Sequence, residues 1–189
     1  DEREYEDFAE IVTPVTIPVG MYAYPDALFA ADELIGRWSL QSRVDNAAKH
    51  NVIEWSGAHP GLMKAILNIG NRNATFDFSS RESLQRLFGH KDMLPECDKV
   101  WDSLEEEEQQ ALMAAFGGGA AEARLLGRLS YKELVRDRGR GAYTAFSPIF
   151  EDYVRAQAQA AGTRGTAAPV GVTVQLDAAS NAIRINGRR

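Results

Sequence analysis

The sequence predicts a mainly α chain with small β-hairpins, and three observations carry that expectation. Apolar residues recur every three or four positions through most of residues 26–154, the spacing of helix faces. Helix-start signals stand at the head of those stretches: Pro25-Asp26, Ser79 with Glu82, Ser103 with Glu106, and Ser147-Pro148. Patterns of β type are confined to short runs. With 189 residues, 44% of them hydrophobic, the chain is long enough for one ordinary domain or two small ones.

Element by element, Tyr5, Phe8, Ile11 and Val12 fall at helical spacing until Thr13-Pro14, and VTIPVG then reads as a strand. Asp26, after Pro25, is the expected N-cap of a helix over 26–38 with Leu28, Ala31, Ile35 and Trp38 on one face. A second helix over 43–55 carries Val44, Ala48, Val52 and Trp55. The corner Gly57-Ala58-His59-Pro60-Gly61 follows, and a third helix over 60–70 runs through Leu62, Met63, Ile66, Leu67 and Ile69. Three short amphipathic helices in succession make a small bundle.

Ser79 and Glu82 predict a capping box for a helix containing Leu84, Leu87 and Phe88, and Pro95 opens another over 95–102. Ser103 and Glu106 predict a second box, for a helix through Leu112, Ala115 and Phe116 that stops at Gly117-Gly118-Gly119. The run Glu105 to Glu108 reads as a solvated first turn that complements the helix dipole. A helix over 120–133 leads to LVRD and AYTAF, a hairpin around Arg138-Gly139-Arg140-Gly141. Ser147-Pro148 caps a last helix burying Ile149, Phe150, Tyr153 and Val154. Helix, helix, hairpin, helix is the outline of a winged helix. The expected organisation is a helical subdomain over 1–75, a winged helix over 76–156, a linker over 157–168, and a β-hairpin over 169–189 formed by VGVTVQL and AIRINGR.

Composition excludes several functions. The single Cys97 leaves no intrachain disulfide framework and fits a reducing compartment, so cytoplasm is the expected location. No apolar run approaches the roughly 20 residues of a membrane helix, and DEREYEDFAE is unlike the basic start of a signal peptide. His50, His59 and His90 lack ligand spacing, so no metal site is evident, and no Ser-His-Asp or Cys-His arrangement assembles. Trp38, Trp55 and Trp101 are expected in core packing. The chain begins at Asp1 and ends just after an apparent hairpin, which reads as two cuts through a longer protein.

The order VTIPVGMYAYPDALFAADEL, EWSGAHPGLMKAIL, CDKVWDSLEEEEQQALMAAF, AYTAFSPIFEDYVRAQ resembles the back half of a bacterial STAND-type AAA+ ATPase, over roughly residues 13–158. In that family a helical lid follows the nucleotide-binding core, a corner often reading Gly-Gly-His-Pro opens a lid helix, and a winged helix comes next. The resemblance implies that His59 and Pro60 contact the nucleotide, with the Pro60 ring flat on adenine. Ala58 departs from the pattern, standing where the second glycine lies. The tail VTVQLDAASNAIRINGRR is similar to the first hairpin of response-regulator-type output domains, which bind DNA. No Gly-x-x-x-x-Gly-Lys-Ser/Thr loop occurs, so this chain alone is not expected to be an enzyme. ATP or ADP is expected only with an upstream core of the same protein, and oligomerisation on nucleotide binding is a further implication. The plain alternative is a helix–helix corner without a ligand.

DNA is the other candidate partner. Arg124, Arg128 and Lys132 recur every four residues, and Arg136, Arg138 and Arg140 continue into the wing. Between residues 124 and 164 eight lysines and arginines face four acidic residues, within a chain of net charge −6. A helix in the major groove with a basic wing on phosphates would use such charges. An ordinary exposed helix face, or a winged unit serving only to pack domains, would carry the same stripe. The functional expectation is therefore a lid and winged-helix portion of a nucleotide-dependent regulator. A winged-helix DNA-binding regulator and a protein-interaction scaffold are the alternatives.

Overall fold

Residues 20–139, 141–166, 174–177 and 182–185 are described by a computed structural model, and they are mainly helical. They divide into two units between Leu84 and Gln85. The expected helix and strand over residues 1–19 lie outside the described residues.

The first unit is built from α1 (Tyr24–Arg37), α2 (Asn46–Ser56) and α3 (Pro60–Arg72), each packed on the other two. Helix α1 buries Ala27, Ala31 and Ile35, one stripe at four-residue spacing whose two alanines permit close approach of its neighbours. Its start corrects the expected Asp26 cap: Ala23 precedes the first helical residue, Pro25 lies in the first turn, and Asp26 is inside the helix. A proline tolerates the first turn because the N–H it lacks has no intrahelical acceptor there. Helix α2 starts where Asp45 accepts a hydrogen bond from the Ala48 N–H at 2.8 Å. Lys49 pairs with Asp32 and pins α2 to α1.

Helix α3 is the centre of this unit. Leu62, Met63, Ala65, Ile66, Leu67, Ile69 and Gly70 are all buried, and each large side chain among them contributes about 1.5–3 kcal/mol. Phe78 closes the far end. A Cβ on Gly70 would meet the Phe78 ring at 2.0 Å, so the ring lies where any other residue would place its side chain. Arg43 completes the closure by donating to the Gly70, Asn73 and Phe76 carbonyls at 2.8, 2.9 and 2.9 Å. These include carbonyls at the end of α3 that have no partner within the helix.

The second unit contains α5 (Leu94–Asp102), α6 (Glu106–Gly117), α7 (Ala123–Tyr131), β1 (Val135–Asp137), β2 (Tyr143–Ala145) and α8 (Pro148–Thr166); the short α4 (Arg81–Gln85) spans the division. Helix α8 packs along α6 and also touches α5 and β2. Gly117 allows the closest approach, since a Cβ there would lie 3.2 Å from the Ala158 methyl. Strands β1 and β2 pair antiparallel with Val135 opposite Ala145 and Asp137 opposite Tyr143. Gly139 and Gly141, at φ of 82° and 77°, turn the chain between them. Ser147 caps α8 as expected, its hydroxyl accepting from the Phe150 N–H. Strands β3 (Val174–Asp177) and β4 (Ala182–Ile185) pair antiparallel with each other.

Five expectations need correction. Helix α4 is capped by Ser80, whose hydroxyl accepts from the Ser83 N–H, and it ends before Leu87 and Phe88. Ser79 instead donates its N–H to the Asp77 side chain. Helix α6 is capped at Glu105, because the Ser103 hydroxyl is turned back onto the Val100 carbonyl at 2.7 Å. Helix α7 is shorter than the expected 120–133, starting after Glu122 and closing at Lys132. The expected linker is helical through Thr166, since its many alanines are the strongest helix formers. None of the three tryptophans is fully buried; Trp101 is half-buried, edge-on to Tyr153 with ring centroids 6.1 Å apart.

Candidate functional site

In the first unit the candidate residues sit at the corner between α2 and α3. Gly57 and Ala58 are both left-handed, at φ of 61° and 60°. The Gly57 and Ala58 N–H groups donate back to Glu54 and Ile53, closing the end of α2. His59 then returns to extended backbone, and its Nδ1 accepts from the Leu62 N–H at 3.3 Å, capping α3. That role makes Nε2 the protonated nitrogen of the neutral ring. Pro60 is the first residue of α3, where its missing N–H costs nothing. The corner is tied down from outside as well, because the Tyr22 N–H donates to the Ala58 carbonyl at 3.1 Å.

His59 and Pro60 are thus both half-buried at the N-terminus of α3, adjacent in space as in sequence. The unit also carries an exposed aromatic pair that sequence reading missed: the Tyr24 ring lies parallel to His50 and its hydroxyl bonds to Nδ1. Those two residues stand 26 positions apart, so no local spacing signals the pair.

In the second unit the cationic stripe is not open. Arg124 pairs with Glu122 at 3.1 Å and with Glu107 at 3.7 Å. Arg128 reaches Glu105 at 3.0 Å and Glu108 at 3.3 Å. Lys132 donates to both Glu108 oxygens, at 2.7 and 2.8 Å. Arg138 is exposed on the hairpin and donates to the Thr144 hydroxyl; Arg140 lies outside the described residues.

Glu108 corrects the reading of the acidic run as solvated. Its side chain has no solvent exposure and also accepts from the Glu105 N–H at 3.1 Å. Burial alone would raise its carboxyl pKa, but the Lys132 ammonium, the Glu105 N–H and the Arg128 guanidinium outweigh that and hold it below the usual carboxylate range. The sequence signal was present: a glutamate three residues into a helix can turn back on the cap. What it pairs with across the fold was not legible.

The remaining chemistry is quiet. Burial first, then the charges of Asp98 and Glu96, push the Cys97 thiol up to about 12, so it is protonated at neutral pH and a poor nucleophile. Among the described residues no group of three His, Cys, Asp or Glu side chains could hold a metal ion, and no helix is long and apolar enough to cross a membrane. Compared with known proteins, the chain matches no family model, no curated protein and no solved structure.

Proposed function

We propose that this chain is a non-catalytic lid and winged-helix portion of a STAND/AAA+ ATP-binding regulator, transmitting nucleotide state to a transcriptional output. The observation that carries this reading is the α2–α3 corner. Two left-handed residues bring the chain round so that the His59 imidazole caps α3 and the Pro60 ring begins it. A rigid ring without an N–H can lie flat on a base, and the His59 and Leu62 N–H groups beside it are already bonded, to the Ser56 carbonyl and to His59 Nδ1. The order α6, α7, β1, β2, α8 supplies the helix, helix, hairpin, helix series of a winged unit.

Titration of the 15N-labelled chain with millimolar Mg-ADP tests the lid reading. Amide shifts centred on Gly57, Ala58, His59, Gly61 and Leu62, reduced in Pro60→Ala, are expected, together with no release of phosphate from ATP. Absence of shifts at the corner refutes the nucleotide role, and hydrolysis by the chain refutes the non-catalytic one.

The second reading, a DNA-binding regulator, is favoured by exposed Arg136 and Arg138 on the hairpin beside α7. The ion pairs of Arg124, Arg128 and Lys132 weigh against it, because a cation already neutralised gains less from a phosphate.

A further inference from the structure

Arg124, Arg128 and Lys132 span about 12 Å of helix axis, the length of three to four nucleotide steps at about 3.4 Å each. Such a row, continued by exposed Arg136 and Arg138, has the dimensions of a phosphate-contacting edge. Every cation of the row is met by a carboxylate of Glu105, Glu107, Glu108 or Glu122. These contacts are of two kinds. Glu108 is fully buried and belongs to the packing of α6 on α7. Glu105, Glu107 and Glu122 are 63%, 67% and 58% exposed, and none of them fills any part of the core.

Exposed ion pairs contribute little to stability, with a median near 0–1 kcal/mol. Four successive glutamates stand at this helix start, at 105–108, where an exposed negative charge complements the helix dipole by only about 0.3–1 kcal/mol. Glu105 also caps α6 by accepting from the Glu108 N–H, which the oxygen of a glutamine can still do. The charges of Glu105 and Glu107 themselves add little to the fold while neutralising the outer edge of α7.

We infer that Glu105 and Glu107 are an autoinhibitory contact: they occupy the cationic edge of α7 in place of duplex DNA phosphates and keep the affinity of this unit for DNA low. Displacing them would leave one carboxylate instead of two on each arginine, the exposed Glu122 on Arg124 and the buried Glu108 on Arg128, and so raise the charge of the edge by two while Glu108 and Lys132 stay in place as structure. This inference does not depend on a nucleotide at the α2–α3 corner.

Fluorescence anisotropy with a labelled mixed-sequence DNA duplex at low salt tests it on the whole chain. Glu105→Gln/Glu107→Gln is expected to bind about tenfold more tightly than the wild type, with a salt slope steeper by about two, one unit for each phosphate gained. Adding Arg124→Ala/Arg128→Ala should abolish the gain. Glu33→Gln/Glu54→Gln makes the same change in net charge at exposed residues of α1 and α2 and should give no comparable gain. Circular dichroism at 222 nm verifies folding, and the two single variants, each giving part of the gain, serve if the double variant is unfolded. An equal gain in the control pair, no gain in the double or single variants, or a gain that survives loss of both arginines overturns the inference.

Discussion

Replacing Glu108 by glutamine keeps its shape and removes its charge, which isolates the contribution of the buried carboxylate. The carboxylate accepts from Lys132 at 2.7 and 2.8 Å and from the Glu105 N–H at 3.1 Å. In the variant one amide oxygen can still accept from Lys132, while the amide nitrogen can accept from nothing. Hydrogen bonds to charged groups contribute about 1.5–3 kcal/mol each. Lys132 keeps 40% of its side-chain exposure and recovers part of the loss by turning to water, so the net cost should be about 2–3 kcal/mol at pH 7. Lys132→Met should cost more, toward the 3–5 kcal/mol typical of removing one partner from a buried pair. It leaves the deeper charge short of its main partner. Urea unfolding followed at 222 nm gives both values.

The pH dependence tests the same claim independently. Glu108 has a folded pKa held below its unfolded value, so its stabilisation is present in full above the unfolded pKa of about 4.3. It is lost as pH falls through the folded pKa. The stability gap between wild type and Glu108→Gln should therefore be flat from pH 7 to about 5 and shrink as pH falls below about 4. A gap that stays constant into acid, or widens there, would show that packing rather than charge makes Glu108 important. If Lys132→Met proves the milder change, the ranking drawn from exposure is wrong.

Four further substitutions follow from local geometry. Gly70→Ala should destabilise the first unit by about 3 kcal/mol by forcing the buried Phe78 ring aside, whereas Gly127→Ala, in α7 with open space around its Cβ, should stabilise by about 0.5–1 kcal/mol; thermal melts of the two should shift in opposite directions. Ala58→Gly relieves a left-handed alanine, a strain of about 1–2 kcal/mol, against about 0.5–1 kcal/mol for glycine's extra unfolded freedom. A gain of about 0.5 kcal/mol by urea titration is expected, and a loss would mean that the alanine methyl makes contacts outweighing its backbone strain. Arg43→Met removes three hydrogen bonds to carbonyls at and beyond the end of α3 and should cost about 2–3 kcal/mol, with Lys rescuing only part because it lacks the planar fork. Hydrogen exchange should report the loss first at Asn73 and Phe76, whose carbonyls Arg43 holds.

How much of this was legible in sequence differs between the two candidate sites. At the α2–α3 corner, nearly everything comes from five consecutive residues. Glycine at 57, proline at 60 and apolar spacing from Leu62 onward specify a left-handed exit, a helix start and its buried face, and the structure has all three. Ala58 is the exception: its left-handed φ follows from closing α2 onto Ile53 while α3 turns away, a demand of packing that overrides alanine's own preference.

At the cationic edge of α7 the sequence determined the spacing of Arg124, Arg128 and Lys132 and the clustering of Glu105 to Glu108. Only the tertiary structure decided that the two rows meet. Local periodicity identifies which residues share a helix face, but it is blind to a partner more than twenty residues away, and burial converts one glutamate among four from a surface charge into a buried anchor. The same reason explains Tyr24 on His50, while Phe78 against Gly70 depends on how the chain beyond α3 folds back onto the helix. Helix faces, the hairpin and the Ser147 cap are local and could be read along the chain, whereas which side chains neutralise, cover or exclude one another is set only once the helices are packed.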